Sequence, residues 1–203
     1  MGGLRLKTLV LATKNQGKIN ELIKATEALD IKVLSLMDFP NCPDAPETGE
    51  TFEENAAQKA LFYEAYTHLP CLADDSGLEV DALNGAPGVR SARYAGTEAT
   101  DNDNNQKLVS ELKEIDEKKR TARYKCVLAY AESGEVVQSF EGACEGEILL
   151  SPRGANGFGY DPYFLLAEIE RTAAEISIEE KQKISHRGKA FELWKKWFLE
   201  KKS

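Results

Sequence analysis

Residues 7–23 read KTLVLATKNQGKINELI. Lys7 to Ala12 form the short apolar run of a buried strand. Thr13-Lys14-Asn15-Gln16-Gly17-Lys18 follow, and then Ile19, Leu22, Ile23 and Leu29 recur at helical spacing. A strand that passes through a polar loop into an amphipathic helix is the opening unit of an α/β fold. The alternation continues. Ile31 to Leu36 alternates as a second strand, Pro40, Pro43 and Pro46 mark an irregular stretch, and Thr51 and Glu54 stand at capping-box spacing before a helix running to about Thr67. Cys71 to Ala73 reads as a strand end leading into Asp74-Asp75-Ser76-Gly77, and Asn84 to Gly88 is turn chemistry. A helix from Asp101 to about Glu117 precedes three strands, Arg120–Ala131, Glu135–Glu141 and Cys144–Leu150, split by turns at Ser133-Gly134 and Gly142. Their short connections make part of the sheet antiparallel. Ser151 to Asp161 is a Gly-rich loop, Ser177 and Glu180 cap a short helix, and a last helix from Ser185 carries the stripe Ala190, Phe191, Trp194, Trp197, Phe198.

The chain has 203 residues, with 26 Lys+Arg against 34 Asp+Glu and a net charge of −8. Its 42% hydrophobic and 30% charged residues are too apolar a mix for disorder. One domain of this length hides roughly 70% of its unfolded surface and needs no disulfide or structural metal. The longest apolar run, Cys126 to Ala131, is six residues, too short to span a membrane. Met1 to Lys7 lacks the apolar core of a secretory signal. Four widely spaced cysteines and two histidines, His68 and His186, form no zinc pattern and point to a reducing, cytoplasmic setting. The acidic balance argues against coating nucleic acid, yet a few lysines can still make a local pocket for a small anion.

Five segments carry residue types suited to chemistry. Thr13 to Lys18 places two lysines at the positive end of a helix, an anion site; as plain structure it is a helix start with solvated lysines. It imitates a P-loop, but Ala12 stands where Gly is needed and Ile19 where Ser or Thr would hold magnesium. Asp74-Asp75 at a strand's C-terminal end can bind magnesium or take a proton from water; the alternative is an acidic turn. Glu47 is a further carboxylate on a loop, whereas Glu53 and Glu54 fit helix capping. Gly154 to Pro162 sets Phe158 and Tyr160 among three glycines, either open to a flat ligand or a tight loop with Phe158 in the core. Lys181, Lys183 and Ser185-His186-Arg187-Gly188 put basic residues at a helix start, where they oppose the dipole unless something anionic or acceptor-rich lies nearby.

In this order the segments resemble the inosine triphosphate pyrophosphatase family, the XTP/dITP diphosphatases. The resemblance spans nearly the whole chain and rests on LATKNQGK (11–18), ETGETFEENAAQKA (47–60), LADDSGLEVDALNGAPGVRSARYAG (72–96), GFGYDP (157–162) and SHRGKA (185–190). It implies one α/β domain over 1–203 with an elongated mixed central sheet flanked by helices, two lobes with an active-site cleft between them, and a homodimer. It implies Mg²⁺-dependent hydrolysis of ITP, dITP and XTP to the monophosphate and pyrophosphate, which cleans the nucleotide pool. By the matching motifs, Asp75 is the proton acceptor and, with Glu47, a Mg²⁺ ligand. Thr13, Lys14, Asn15, Gln16, Gly17 and Lys18 wrap the triphosphate, with Lys181 and Lys59 adding charge. Ser76 contacts the substrate, and Phe158, Gly159, Tyr160, Asp161, His186 and Arg187 bind the base. Two positions depart from the pattern: Pro46 replaces the first of an acidic pair common in relatives, and Lys14 stands where many have Gly. Rival readings are a related pyrophosphatase for pyrimidine or modified nucleotides, a P-loop-like ATPase or kinase, and a non-catalytic nucleotide-binding protein. The products released from a triphosphate separate them.

Overall fold

The computed structural model describes residues 7–27 and 29–201. Of the segment on which the secretory expectation rests, all but Lys7 lies outside the described residues. The elements are β1 (Lys7–Leu11), α1 (Gln16–Thr26), β2 (Ile31–Ser35), α2 (Phe52–Thr67), β3 (Cys71–Val80), α3 (Asp101–Leu112), β4 (Thr121–Glu132), β5 (Glu135–Ile148), β6 (Phe164–Leu166), β7 (Arg171–Thr172), α4 (Ile178–Ile184) and α5 (His186–Glu200). The strands form a seven-stranded sheet in the order β2-β1-β3-β4-β5-β6-β7. It is mixed: β1 is parallel to β2 and β3, while β6 is antiparallel to β5 and β7. The α/β class and the partly antiparallel sheet agree with the sequence.

The chain divides into two compact units, one holding residues up to Asp75, Val127–Phe140 and the chain from Ala190, the other holding Ser76–Cys126 and Glu141–Lys189. In the first, β1-α1-β2 and β2-α2-β3 both join parallel strands, but β2 and β3 flank β1 on opposite sides. Right-handed crossovers running in opposite directions place α1 and α2 on opposite faces. The winding reverses at β1, and open α/β sheets bind ligands beyond the carboxyl ends of the strands at such a reversal. Leu9, Val10 and Leu11 are buried, as are Ile19 and Leu22 of α1 and Phe52, Ala56, Ala60 and Tyr63 of α2. Thr51 and Glu54 form the expected reciprocal capping box, a feature typically worth ~1 kcal/mol. Trp194 and Phe198 of α5 stack in this unit with ring centroids 4.8 Å apart.

The second unit closes around Leu78, Leu108, Leu112, Tyr124, Ile148, Tyr160, Phe164 and Ile176. Ser177 and Glu180 cap α4 as expected, and Ser185 stands just before α5, its Oγ accepting from Gly188 N at 3.0 Å. No helix among the described residues is long and apolar enough to cross a membrane.

Several boundaries differ from the sequence reading. The strand expected to end at Ala73 runs on, and Asp74-Asp75-Ser76-Gly77 is the middle of β3 and not an acidic turn, because the strand is paired between β1 and β4; lysines far away in the chain pair with its carboxylates. β5 runs unbroken through Gly142, so the two expected strands are one. β6 and β7 were not expected; at three and two residues, pairing rather than composition creates them. α1 ends at Thr26, which leaves Leu29 beyond it, and Ile23 is exposed. α3 stops at Leu112 instead of Glu117, and β2 at Ser35 instead of Leu36.

Candidate active site

In the first unit the functional side chains come from the β1–α1 loop, α2 and β3. Asn15 caps α1, its Oδ1 accepting from Lys18 N at 3.1 Å. Thr13 Oγ1 accepts from Asn15 N, Gln16 Nε2 donates to Asn20 Oδ1, and Gly17 lies in the first turn. The helices α2, α3 and α4 carry acidic residues in their first turns, but α1 carries none. Its positive end thus has no acidic side chain of its own helix to offset it.

Asp74, 2% exposed, pairs with the Lys18 ammonium. Asp75 is 7% exposed; Lys59 Nζ donates to its Oδ1 at 2.6 Å and to Glu47 Oε1 at 3.2 Å. Successive strand residues face opposite ways, so Asp74 meets the lysine of α1 and Asp75 the lysine of α2. Burial pushes the Asp75 carboxyl up from its ordinary value, against the opposing pull of Lys59. Burial also works to lower Lys59, but Asp75 and Glu47 outweigh it and hold the ammonium charged. A raised pKa makes a carboxylate a stronger base.

Lys14 is engaged elsewhere. Its Nζ donates to Asp44 Oδ1 at 2.7 Å and to the Cys42 carbonyl at 3.0 Å, and the bond to Asp44 raises its pKa. The two lysines of the loop are thus divided, Lys18 on Asp74 of β3 and Lys14 on Cys42 and Asp44.

Asp75 Oδ2 is buried without a hydrogen-bond partner. A buried carboxylate oxygen that no donor satisfies suits a hard divalent cation, and Glu47, held by the same lysine, supplies a second carboxylate. Among the described residues no cluster of three His, Cys, Asp or Glu is gathered as a metal cage. Mg²⁺ is commonly held by one or two carboxylates together with substrate phosphates and water, so Asp75 and Glu47 fit it.

The second unit gathers Ser76, Phe158, Lys181, His186 and Arg187. Arg187 is 3% exposed, and its Nη2 donates to Ser76 Oγ at 2.8 Å. The Phe158 ring centroid lies 5.1 Å from Lys181 Nζ and 5.7 Å from Arg187 Cζ. The His186 ring stacks on Tyr124 with centroids 4.7 Å apart and planes within 15°. Lys181 Nζ donates to Asp161 Oδ2 at 2.6 Å, and Asp161 also accepts from Phe158 N at 2.9 Å and Tyr124 OH at 3.3 Å. Tyr160 donates through its hydroxyl to Ser91 O at 2.8 Å. Tyr160 and Asp161 thus turn into the interior and frame the loop, while Phe158 and Gly159 are half-buried. α5, like α1, has no acidic residue in its first turn.

The Ham1 family model matches residues 9–197. This chain belongs to the Ham1 family. It is 50% identical over 187 residues to the dITP/XTP pyrophosphatase of Geobacter sulfurreducens, covering 92% of this chain and 94% of that protein. It is 48% identical over 200 residues to the dITP/XTP pyrophosphatase of Bacillus anthracis, covering 96% and 99%. The solved structure of a HAM1 protein from Coxiella burnetii superposes with a TM-score of 0.87 at 45% identity, covering 96% of this chain and 100% of that one. The Staphylococcus aureus Ham1 protein gives 0.84 at 40% identity, covering 97% and 100%.

Three members of the second group in this Ham1 chain are invisible to motif reading: Tyr124 beneath His186, and Asp101 and Asn105 on α3. The signal for the last two is periodicity. Positions 101, 105, 108 and 112 form one helical stripe, and the structure buries Asn105 along with Leu108 and Leu112.

Proposed function

We propose that this Ham1 protein hydrolyses deaminated purine nucleoside triphosphates (dITP, ITP and XTP) to the monophosphate and pyrophosphate, with Mg²⁺ as cofactor, and so clears them from the nucleotide pool. The observation that carries the reading is the pairing of Lys18 with Asp74 and of Lys59 with Asp75, beside a helix end without acidic compensation. Relatives at about half identity bear the name dITP/XTP pyrophosphatase.

Residue roles follow from charge and burial. The Lys18 ammonium and the amides of Lys14, Gln16 and Gly17 take the polyphosphate, the amides of Thr13, Asn15 and Lys18 being bonded within the loop and β1; Lys59 adds charge from α2. Asp75 orients a water and accepts its proton as the water oxygen bonds to the α-phosphorus. The bond from that phosphorus to the α–β bridging oxygen breaks, and pyrophosphate departs with its charge spread over the lysines. Held at Asp75 and Glu47, Mg²⁺ would supply Lewis-acid stabilisation of the phosphate oxygens. No nucleophilic side chain is required.

The group around Phe158 takes the base. The phenyl face suits a stacked purine, and the Arg187 guanidinium, which carries donor groups only, suits a 6-keto oxygen. The 6-amino group of adenine would set donor against donor, a mismatch that discriminates strongly. Arg187→Ala is expected to lower the ratio of kcat/KM for dITP over dATP by ~10-fold or more, while phosphate binding changes less. Steady-state kinetics on both substrates check this, and an unchanged ratio removes Arg187 from recognition.

The reading also places the protein in the cytoplasm as a homodimer; light scattering that gives the mass of a single chain would contradict the dimer. The deciding experiment is a panel of nucleoside triphosphates with Mg²⁺, scored for products. Monophosphate plus pyrophosphate, fastest from dITP and XTP, is the expected result. Orthophosphate, or binding without turnover, would overturn the assignment.

A further inference from the structure

Phe158 is followed by Gly159, which has no side chain to anchor it and sits at φ +61°, in the left-handed region. Its place is set through its two backbone groups. Gly159 N–H donates to Asp101 Oδ2 at 2.7 Å, and its carbonyl accepts from Asn105 Nδ2 at 2.9 Å. Asp101 and Asn105 are one helical turn apart on α3, at the i, i+4 spacing that puts two side chains on one face. On the other side, the Phe158 amide is bound by Asp161 Oδ2. The Phe158 carbonyl accepts from Asp161 N at 3.2 Å, so all four backbone polar groups of Phe158 and Gly159 are held, the first two by Asp161 and the last two by α3. Asn105 is 6% exposed, and its Oδ1 is buried without a partner. An apolar side chain of similar size would avoid that cost. Burial does not account for an amide at this position, whereas the hold on Gly159 does.

We propose that Asp101 and Asn105 are positioning residues for base recognition: they grip both backbone groups of Gly159 and so fix the Phe158 ring against the purine. The proposal rests on the reading of Phe158 as the base platform. Asp101 and Asn105 act through the Gly159 backbone, so their loss should appear in KM and selectivity and not in the chemical step.

The test is steady-state kinetics of the full chain with dITP and dATP, alongside thermal unfolding. Asp101→Ala and Asn105→Leu should each raise KM for dITP by about tenfold and lower the dITP-over-dATP ratio, with kcat kept within about threefold. Asp101→Asn keeps an acceptor at the same place and should return both values to near wild type. Asp101 is exposed at a helix start, so its variants carry the test if Asn105→Leu does not fold. Phe158→Ala is measured in parallel. If Phe158→Ala loses selectivity while the α3 variants keep wild-type KM and ratio, the clamp is refuted and the platform stands. If Phe158→Ala leaves selectivity unchanged, the platform reading fails and the clamp with it. A kcat that falls with Tm at constant KM would mean a structural role and would likewise overturn the proposal.

Discussion

Replacing Asp75 with asparagine is expected to cut turnover of dITP by ~10²–10⁴-fold, the usual contribution of a positioned proton acceptor. The amide is nearly isosteric and still accepts from Lys59, so it preserves the contact at Oδ1. It cannot take a proton from water, and it is a far poorer ligand for a hard cation at Oδ2, the oxygen that the protein leaves unsatisfied. The stability change should be small because two effects oppose. A neutral side chain escapes the burial cost that raises the Asp75 pKa, but it withdraws a negative charge from beside the buried Lys59 ammonium. Single-turnover rates with dITP and Mg²⁺, together with a thermal melt, separate chemistry from folding. Near wild-type hydrolysis by a folded Asp75→Asn protein would remove Asp75 from the proton-acceptor role.

The largest effect on stability is expected at Asp161. Its carboxylate, 2% exposed, accepts from Lys181 Nζ, Phe158 N and Tyr124 OH. Asp161→Ala would leave a buried ammonium without its carboxylate and strip two further donors of an acceptor, at ~3–5 kcal/mol. For a chain of this length that corresponds to a fall in Tm of roughly 6–20 °C. Adding Lys181→Met to Asp161→Ala should recover part of the loss, because removing both members of a buried pair costs less than removing one. A single variant melting within ~2 °C of wild type, or a double variant less stable than the single, would show that the pair does not support the Gly157–Asp161 loop.

The parts of this fold that are legible in the sequence are those fixed by local chemistry. The apolar run before Thr13, the Asn15 cap and the Thr51/Glu54 and Ser177/Glu180 boxes each satisfy backbone groups within a few residues. The reading fails where distant partners decide. Asp74-Asp75-Ser76-Gly77 has turn composition, yet Lys18, Lys59 and Arg187 occupy its polar side chains and the strand continues. The same holds at the candidate site. Residues at a loop or helix start were located by their motifs, but Lys181 sits 20 positions from Asp161 and Lys14 sits 30 from Asp44. No spacing rule announces either pair. Asp101 and Asn105 bind backbone atoms of a loop more than fifty positions away, and in the sequence they are only the polar half of a stripe completed by Leu108 and Leu112.

The pairing of Asp74 and Asp75 with different helices also bears on how such a chain can change in length. β3 is aligned with β1 through Val10 opposite Cys71 and Leu11 opposite Leu72. Inserting or deleting one residue between Leu72 and Asp74 would turn every later side chain to the opposite face. Each aspartate would then present itself to the wrong helix, and both lysines would be stranded at once. Surface connections can gain or lose residues with little penalty, but here the count itself is under constraint, whatever the neighbouring apolar residues become.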